Sequence, residues 1–423
     1  SADVRFTWKA IMNPANMVKS QTGYNKIAAI ETPDDRTVVV YFKEVYAPYL
    51  TLFRYILPRH VLAAYPDMNQ VPYNRQPVGT GPFMVTEWVA GDHITLERNP
   101  YYREAKKVRL DRIFLRIVPS LAAGLSQLKT GEVDLVWGLS EEVIPQAKRI
   151  SHAYLHLFPG AGIERLVLNL SSPYPPHNGD PAFPHPILGD LRVRRAIQYA
   201  INKQLIVDKL LFGKAQVATS VIPMGWAHDP TLQPSEYNPD KARHLLDAAG
   251  WRTGADGIRW KDGKRLRLEI MTTTGNKLRE QVEQVLQAML KRVGIELRIR
   301  NVPAAVLFGS WAKKAARKHG RFDILLYTTR PGVDPHAHLY EYFHSSRIPS
   351  AANHGQGFNY SRLQDPVVDA ALEQAGRTID LEKRKEAYAV VQRRINELLP
   401  HILLYNPLRI TLVSRRVQGL IAH

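Results

Sequence analysis

The residues best placed to do chemistry in this chain run from Phe322 to Pro335. Four apolar residues, Ile324-Leu325-Leu326-Tyr327, lead into Thr328-Thr329-Arg330 and then a Pro-Gly turn closed by Asp334-Pro335. The pattern predicts a buried strand that ends by presenting polar groups. In an open α/β sheet the carboxyl end of a strand is where ligands usually sit, because a rigid strand positions side chains at an open crevice. Tyr327, Thr328, Thr329, Arg330 and Asp334 are therefore candidate ligand-binding residues. Tyr405, which ends the apolar run Ile402–Tyr405, is a sixth.

Other chemistry is sparse. His336, His338, Glu341 and His344 have spacings at which imidazole and carboxylate ligate zinc or nickel. Asp334-Pro335 also reads as an ordinary helix or turn start, however, and no metal site is assigned. The chain has no cysteine, which removes disulfides, thiolate catalysis and cysteine-based zinc sites. It contains no Gly-x-Ser-x-Gly elbow, no His-Glu-x-x-His and no Walker loop. The adjacent pairs Asp34-Asp35 and Glu141-Glu142 read as solvated turns rather than an acid/base couple. No catalytic residue and no cofactor are expected.

Composition sets the frame. The 423 residues are enough for two or three cores at about 150 residues per domain. There are 57 Lys and Arg against 39 Asp and Glu, a net charge of +18. These cations are spread along the chain without aromatic interleaving, so a solvated basic surface is expected and nucleic-acid binding is not. No apolar run reaches the length of about 18 residues that spans a bilayer.

The elements that must position the candidates follow from periodicity and punctuation. Phe83–Trp88 and Ile94–Glu97, joined across Gly91-Asp92, predict a hairpin. Ile113–Val118, a helix over Leu121–Lys129 closed by Gly131, and Val133–Trp137 predict a βαβ unit of a parallel sheet. Leu166–Leu170, Leu266–Met271, Ile295–Val302, Phe322–Tyr327 and Ile402–Tyr405 are further strands. Between them lie helices started by Asp190, by Asn238-Pro239 and by Asp380, and one with Val282, Val285, Leu286, Met289, Leu290 and Val293 on one face. Tyr24, Trp137, Trp226 and Trp311 are aromatic residues able to line a cleft or to pack a core.

In this order the segments resemble the extracytoplasmic solute-binding proteins of ABC transporters, family 5, the dipeptide, oligopeptide and nickel-binding type. Pro77-Val78-Gly79-Thr80-Gly81-Pro82-Phe83 with Arg98-Asn99-Pro100-Tyr101-Tyr102 resembles the family's GTGPY and RNPDYW passages. Leu128-Lys129-Thr130-Gly131-Glu132-Val133-Asp134 resembles LKAGEVD, and Asp190 to Lys203 resembles DVRVRQALSYAIDR. Tyr237 to Ala242 and Leu245 to Gly250 match a later helix, and Asn359-Tyr360, Asp365-Pro366 and Asp380 to Tyr388 match the closing ones.

The resemblance implies an α/β fold of the two-lobed periplasmic-binding-protein type (type II, cluster C), with hinge strands near Gly162–Asn169 and Leu403–Leu408. It divides the chain into part of an extra subdomain of lobe one (1–76), part of the lobe-one core (77–165), lobe two (166–405) and a return to lobe one (406–423). It also implies that the family's first strands lie ahead of Ser1 and that its tail continues past His423. The expected function is capture of a peptide-like or other small polar solute and delivery to ABC permease subunits, by a monomer, periplasmic or otherwise extracytoplasmic, with a lipid anchor as a further option. A nickel- or metallophore-binding protein of the same fold is one alternative. Another is a hydrolase on the same scaffold, and a third, a sensor with a fused DNA-binding part, requires a helix-turn-helix ahead of Ser1.

In peptide-binding members an Asp after the strand that matches Phe322–Tyr327 pairs with the peptide's ammonium. Aligned on Asp334-Pro335, that place falls at or next to Pro331, with Arg330 beside it. A cation there repels an ammonium and favours a carboxylate or phosphate. The plainer alternative is an Arg330 that faces solvent or pairs with Asp334.

Overall fold

The computed structural model describes residues 1–18 and 20–420. The chain separates into two compact units, Ser1–Asp134 and Leu135–His423. In unit 1, the helix Ala2–Met12 precedes β1 (Ile27–Glu31) and β2 (Val39–Phe42), an antiparallel pair. Ile27, Ile30, Tyr46 and Leu52 form the small core beneath them, with Trp8, Tyr24 and Phe53 packed against it. The exposed Asp34 turn that joins the two strands is held by backbone donors, Arg36 and Thr37, to its carboxylate. The hairpin of β3 (Phe83–Val89) and β4 (His93–Arg98) forms as expected, and β5 (Arg112–Arg116) extends it into a three-stranded antiparallel sheet.

Unit 2 contains β6 (Leu135–Leu139), β7 (Ala153–Pro159), β8 (Ile163–Leu168), β9 (Gln216–Val217) and the short strands β10 (Arg252–Thr253), β11 (Arg259–Lys261) and β12 (Lys264–Arg265). There follow β13 (Arg267–Met271), β14 (Glu296–Ile299), β15 (Ile324–Thr329), β16 (His401–Asn406) and β17 (Leu408–Ser414). The central sheet is mixed, in the order β14-β13-β15-β8-β16-β9. Its β13 runs parallel to β14 and β15, whereas β8 is antiparallel to both β15 and β16. A separate sheet has the order β6-β17-β7, antiparallel throughout.

The βαβ expectation over residues 113–137 is therefore corrected. The helix Leu121–Thr130 does join two strands, but β5 pairs with β4 and β6 pairs with β17. Periodicity identifies an element, while its partner is set by which free strand edge its side chains fit. Within 406–423, Leu408–Ser414 forms β17, which lies between β6 and β7; the last three residues of that segment fall outside the described residues. The boundary expected at 165/166 falls within β8.

Helices cover both faces of the central sheet. On one face Leu166, Leu168, Ile270, Ile324, Leu326, Ile402 and Leu404 meet Val193, Ile197, Leu246, Val282, Leu286 and Leu290. On the other, Val167, Met271, Leu325 and Tyr327 meet Leu307 and Tyr360, and Ile163 and Leu403 meet Leu339, Phe343, Leu372, Tyr388 and Val391. The helix starts follow their sequence signals: Asp190, Asn238 and Asp380 each accept a backbone N–H in the first turn. Arg194, in the same helix start, donates to Leu398 O at 2.9 Å, which satisfies an end carbonyl of the helix Leu381–Leu398.

One buried acid makes stability depend on pH. Glu283 has no exposed surface and accepts from Asn301 Nδ2 at 2.8 Å. Burial pushes its carboxyl up to about 7 from an ordinary 4.5. The folded state thus holds this proton more tightly than the unfolded chain, so its contribution is complete below about pH 4.5 and is lost as pH rises through about 7. Urea unfolding of Glu283→Gln is expected to lose the part of the fall in stability that lies in this window; a profile that keeps it would locate the titration elsewhere.

Candidate functional site

The candidate strand β15 is paired with β8 residue by residue: Leu326 with Leu166, Tyr327 with Arg165, Thr328 with Glu164 and Thr329 with Ile163. Because successive side chains of a strand point to opposite faces, the predicted cluster is divided. Thr328 lies on the face of Glu164; Tyr327 and Thr329 lie on the face of Arg165. On the other side of β8, an irregularity between Leu403 and Tyr405 sets Leu403 opposite Arg165 and Tyr405 opposite Glu164.

The Glu164 face is a closed polar network. Arg279, in the first turn of the helix Lys277–Lys291, donates from Nε to Glu164 Oε1 at 2.7 Å and from Nη2 to Thr328 Oγ1 at 3.0 Å. The Thr328 hydroxyl in turn donates to Glu164. Glu164 and Arg279 side chains are 3% and 14% exposed, so the pair is largely removed from water. Tyr405 is itself buried, and desolvation followed by the charges of Glu164 and Glu141 pushes its phenol well above the ordinary value. It is a neutral donor at any physiological pH.

The Glu141-Glu142 pair is not a solvated turn. Glu141 is 1% exposed and accepts from Leu408 N at 2.7 Å, the first residue of β17. Burial raises the carboxyls of both Glu141 and Glu142. What looked like a surface turn is fixed because its carboxylate closes the start of a strand more than two hundred residues away in sequence.

Beyond β15, Arg330 is exposed and makes no ion pair among the described residues. Asp334 does not reach it: its carboxylate takes Arg384 Nη2 at 2.8 and 3.0 Å and caps His336 N at 3.0 Å. The histidines that follow are engaged separately. His336 meets the Tyr388 hydroxyl at 3.3 Å, Glu341 binds Arg347 at 2.9 Å, and His344 lies 3.4 Å from Glu373. Among the described residues no three His, Asp or Glu groups converge as metal ligands. Of the aromatic candidates, Trp226 packs its ring against Arg384 and donates to Val333 O, Trp311 stacks on His319, Tyr24 accepts from Phe53 N, and Trp137 is exposed.

Sequence reasoning missed Glu164, Arg165 and Arg279. The first two carried a signal, since adjacent opposite charges inside the apolar run Ile163–Leu168 are rarely buried without a role. Arg279 carried none. Replacing Arg279 by Met leaves Glu164 buried without its partner, an expected cost of about 3–5 kcal/mol in urea unfolding. Arg279→Met combined with Glu164→Gln should cost less than the sum of the single changes. Strict additivity would show that the two side chains are not coupled.

Comparison with known proteins adds identity to this geometry. Residues 1–350 match the model of the bacterial extracellular solute-binding proteins, family 5 Middle. The oligopeptide-binding protein AppA of Bacillus subtilis is 28% identical over 83% of this chain, an alignment that spans 61% of its own length. A putative ABC transporter peptide-binding protein of Brucella ovis is 29% identical over all of this chain and 75% of its own. Among solved structures, NikZ from Campylobacter jejuni in complex with Ni(L-His) superposes with a TM-score of 0.85 at 27% identity, covering 99% of this chain and 79% of that one. AppA from Bacillus subtilis in complex with a nonapeptide gives 0.83 at 24% identity, covering 100% and 81%, and shares the α/β fold of the two-lobed binding proteins. The chain belongs to the bacterial extracellular solute-binding proteins of family 5.

Proposed function

We propose that this chain captures a peptide-like or other small polar solute outside the cytoplasm and hands it to the permease of an ABC importer. The family match over residues 1–350 carries the reading, and the names of the relatives, oligopeptide-binding and putative ABC transporter peptide-binding proteins, support it. On this reading the chain binds without transforming, works as a monomer, and is periplasmic or held at the outer surface by a lipid anchor. The end of β15 supplies part of the rim. Thr328 is locked by Glu164 and Arg279, so its role is to stiffen the strand end. Arg330 is the exposed cation next in line, and it favours solutes that carry a carboxylate or phosphate.

A nickel chelate is the second reading. The nickel-binding periplasmic protein of Escherichia coli is 26% identical over 88% of this chain, and NikZ holds Ni(L-His). A metal in this protein would arrive with its own ligand, and titration of nickel with and without histidine separates the two readings.

Native mass spectrometry of the protein purified from its own host is expected to show a retained small organic molecule, with peptide masses supporting the first reading and a nickel chelate the second. Protein that emerges empty and binds neither a peptide panel nor nickel–histidine in calorimetry would overturn both. For an anionic solute, Arg330→Ala should weaken binding by about 1 kcal/mol or less, since the group is exposed, and the difference should shrink as salt is added. An effect independent of salt would exclude a long-range charge role for Arg330.

A further inference from the structure

The face of β8 opposite Glu164 carries a charge that no side chain among the described residues neutralises. Arg165 is fully buried, and none of its three guanidinium nitrogens has a hydrogen-bond partner among the described residues. Its Cζ sits 4.7 Å from the centre of the Tyr342 ring and 5.4 Å from that of Tyr327. Such cation–π contacts offset only part of the cost of burying an ion without a counter-charge. Three neutral polar atoms on the same face are equally without partners: Tyr327 Oη, Thr329 Oγ1 and His401 Nδ1.

Among the described residues the surroundings hold no spare anion. Glu164 points to the opposite face and is taken by Arg279. Glu341 is taken by Arg347. The phenols of Tyr342 and Tyr360 are pushed up, chiefly by burial, and stay protonated. His401 is pushed well below its ordinary value, again by burial and then by Arg165, and is neutral. Further cations crowd this side: Lys318, lowered to about 8 by burial and by Arg317, Arg347 and Arg362. These neighbours have acceptors, Lys318 at Gly355 O and Gly357 O, Arg362 at Gly179 O and Tyr360 O, and Arg317 at Phe308 O and Tyr360. Arg165 alone of this group has none.

We propose that Arg165 forms the floor of a buried anion site that takes a carboxylate group, gripped by the guanidinium fork and by the hydroxyls of Tyr327 and Thr329. A planar carboxylate matches the paired N–H donors of guanidinium, and the two hydroxyls offer further donors that a neutral guest would leave unused. Thr329 stands two residues beyond Tyr327, roughly 7 Å along the strand, and exposed Arg330 follows directly. The exposed strand end assigned above to the solute rim therefore adjoins the site. The carboxylate is either that of the captured solute, a source that rests on the solute-binding reading, or that of a free small acid, which does not.

The test uses the full chain in Tris neutralised with a bulky sulfonic acid. Thermal unfolding is followed with sodium acetate, and calorimetry compares trialanine with trialanine amide. A saturable rise in Tm with acetate that is absent in Arg165→Met and Arg165→Gln supports a site open to free acids. A preference of about ten-fold or more for trialanine over its amide, lost in the same variants, supports the solute's own carboxylate. Tyr327→Phe, which removes one hydroxyl and keeps the ring, should weaken either response and serves if the Arg165 variants fail to fold. No acetate response and equal binding of acid and amide would overturn the proposal, as would responses that persist in Arg165→Met. Tight capture of trialanine and its amide alike, unchanged by these variants, would leave solute binding standing while removing this site.

Discussion

Two adjacent and opposite charges on one central strand organise unit 2. Glu164 and Arg165 lie in the middle of the mixed sheet, on a strand paired on both sides, and the pleat sends them to opposite faces. A buried charge must find a partner or impose a cost, so each face had to be built around its ion. On the Glu164 face a helix start delivers Arg279 and a neighbouring strand delivers Thr328. On the Arg165 face the neighbours are rings and neutral dipoles, with cations behind them. The asymmetry between the two faces is chemical, although the backbone that makes them is the same.

Much of the architecture was legible in the chain. Amphipathic periodicity and helix caps located the helices after Asp190, Asn238 and Asp380, because capping is local chemistry between residues two or three apart. The strands of the central sheet were equally plain as apolar runs. Pairing was not, since β5 and β6 take partners that lie far from the spacing a crossover suggests. The position of Glu141 was hidden for a similar reason: its burial depends on β17, which arrives at the far end of the chain.

The candidate site was legible as a segment and not as a constellation. Naming Tyr327, Thr328 and Thr329 together treated a strand end as one surface, and alternation splits them between two chemistries. Asp334 is drawn away from the strand end by Arg384, a residue of a helix that begins almost fifty positions later. Arg330, next to the turn, is exposed and does not pair with Asp334, which Arg384 takes.

The two passages that connect the central sheet with the β6-β17-β7 sheet run side by side. Pro159 to Ile163 links β7 to β8, and Asn406 to Leu408 links β16 to β17. A side chain at Gly160 would meet Pro407 O at 2.5 Å and one at Gly162 would meet Pro407 Cγ at 3.2 Å, while Asn406 Nδ2 donates to Gly162 O at 2.8 Å. The twin ribbon is stitched in this way, so sliding one strip along the other would have to break the Asn406 bond or press the glycine backbone against Pro407.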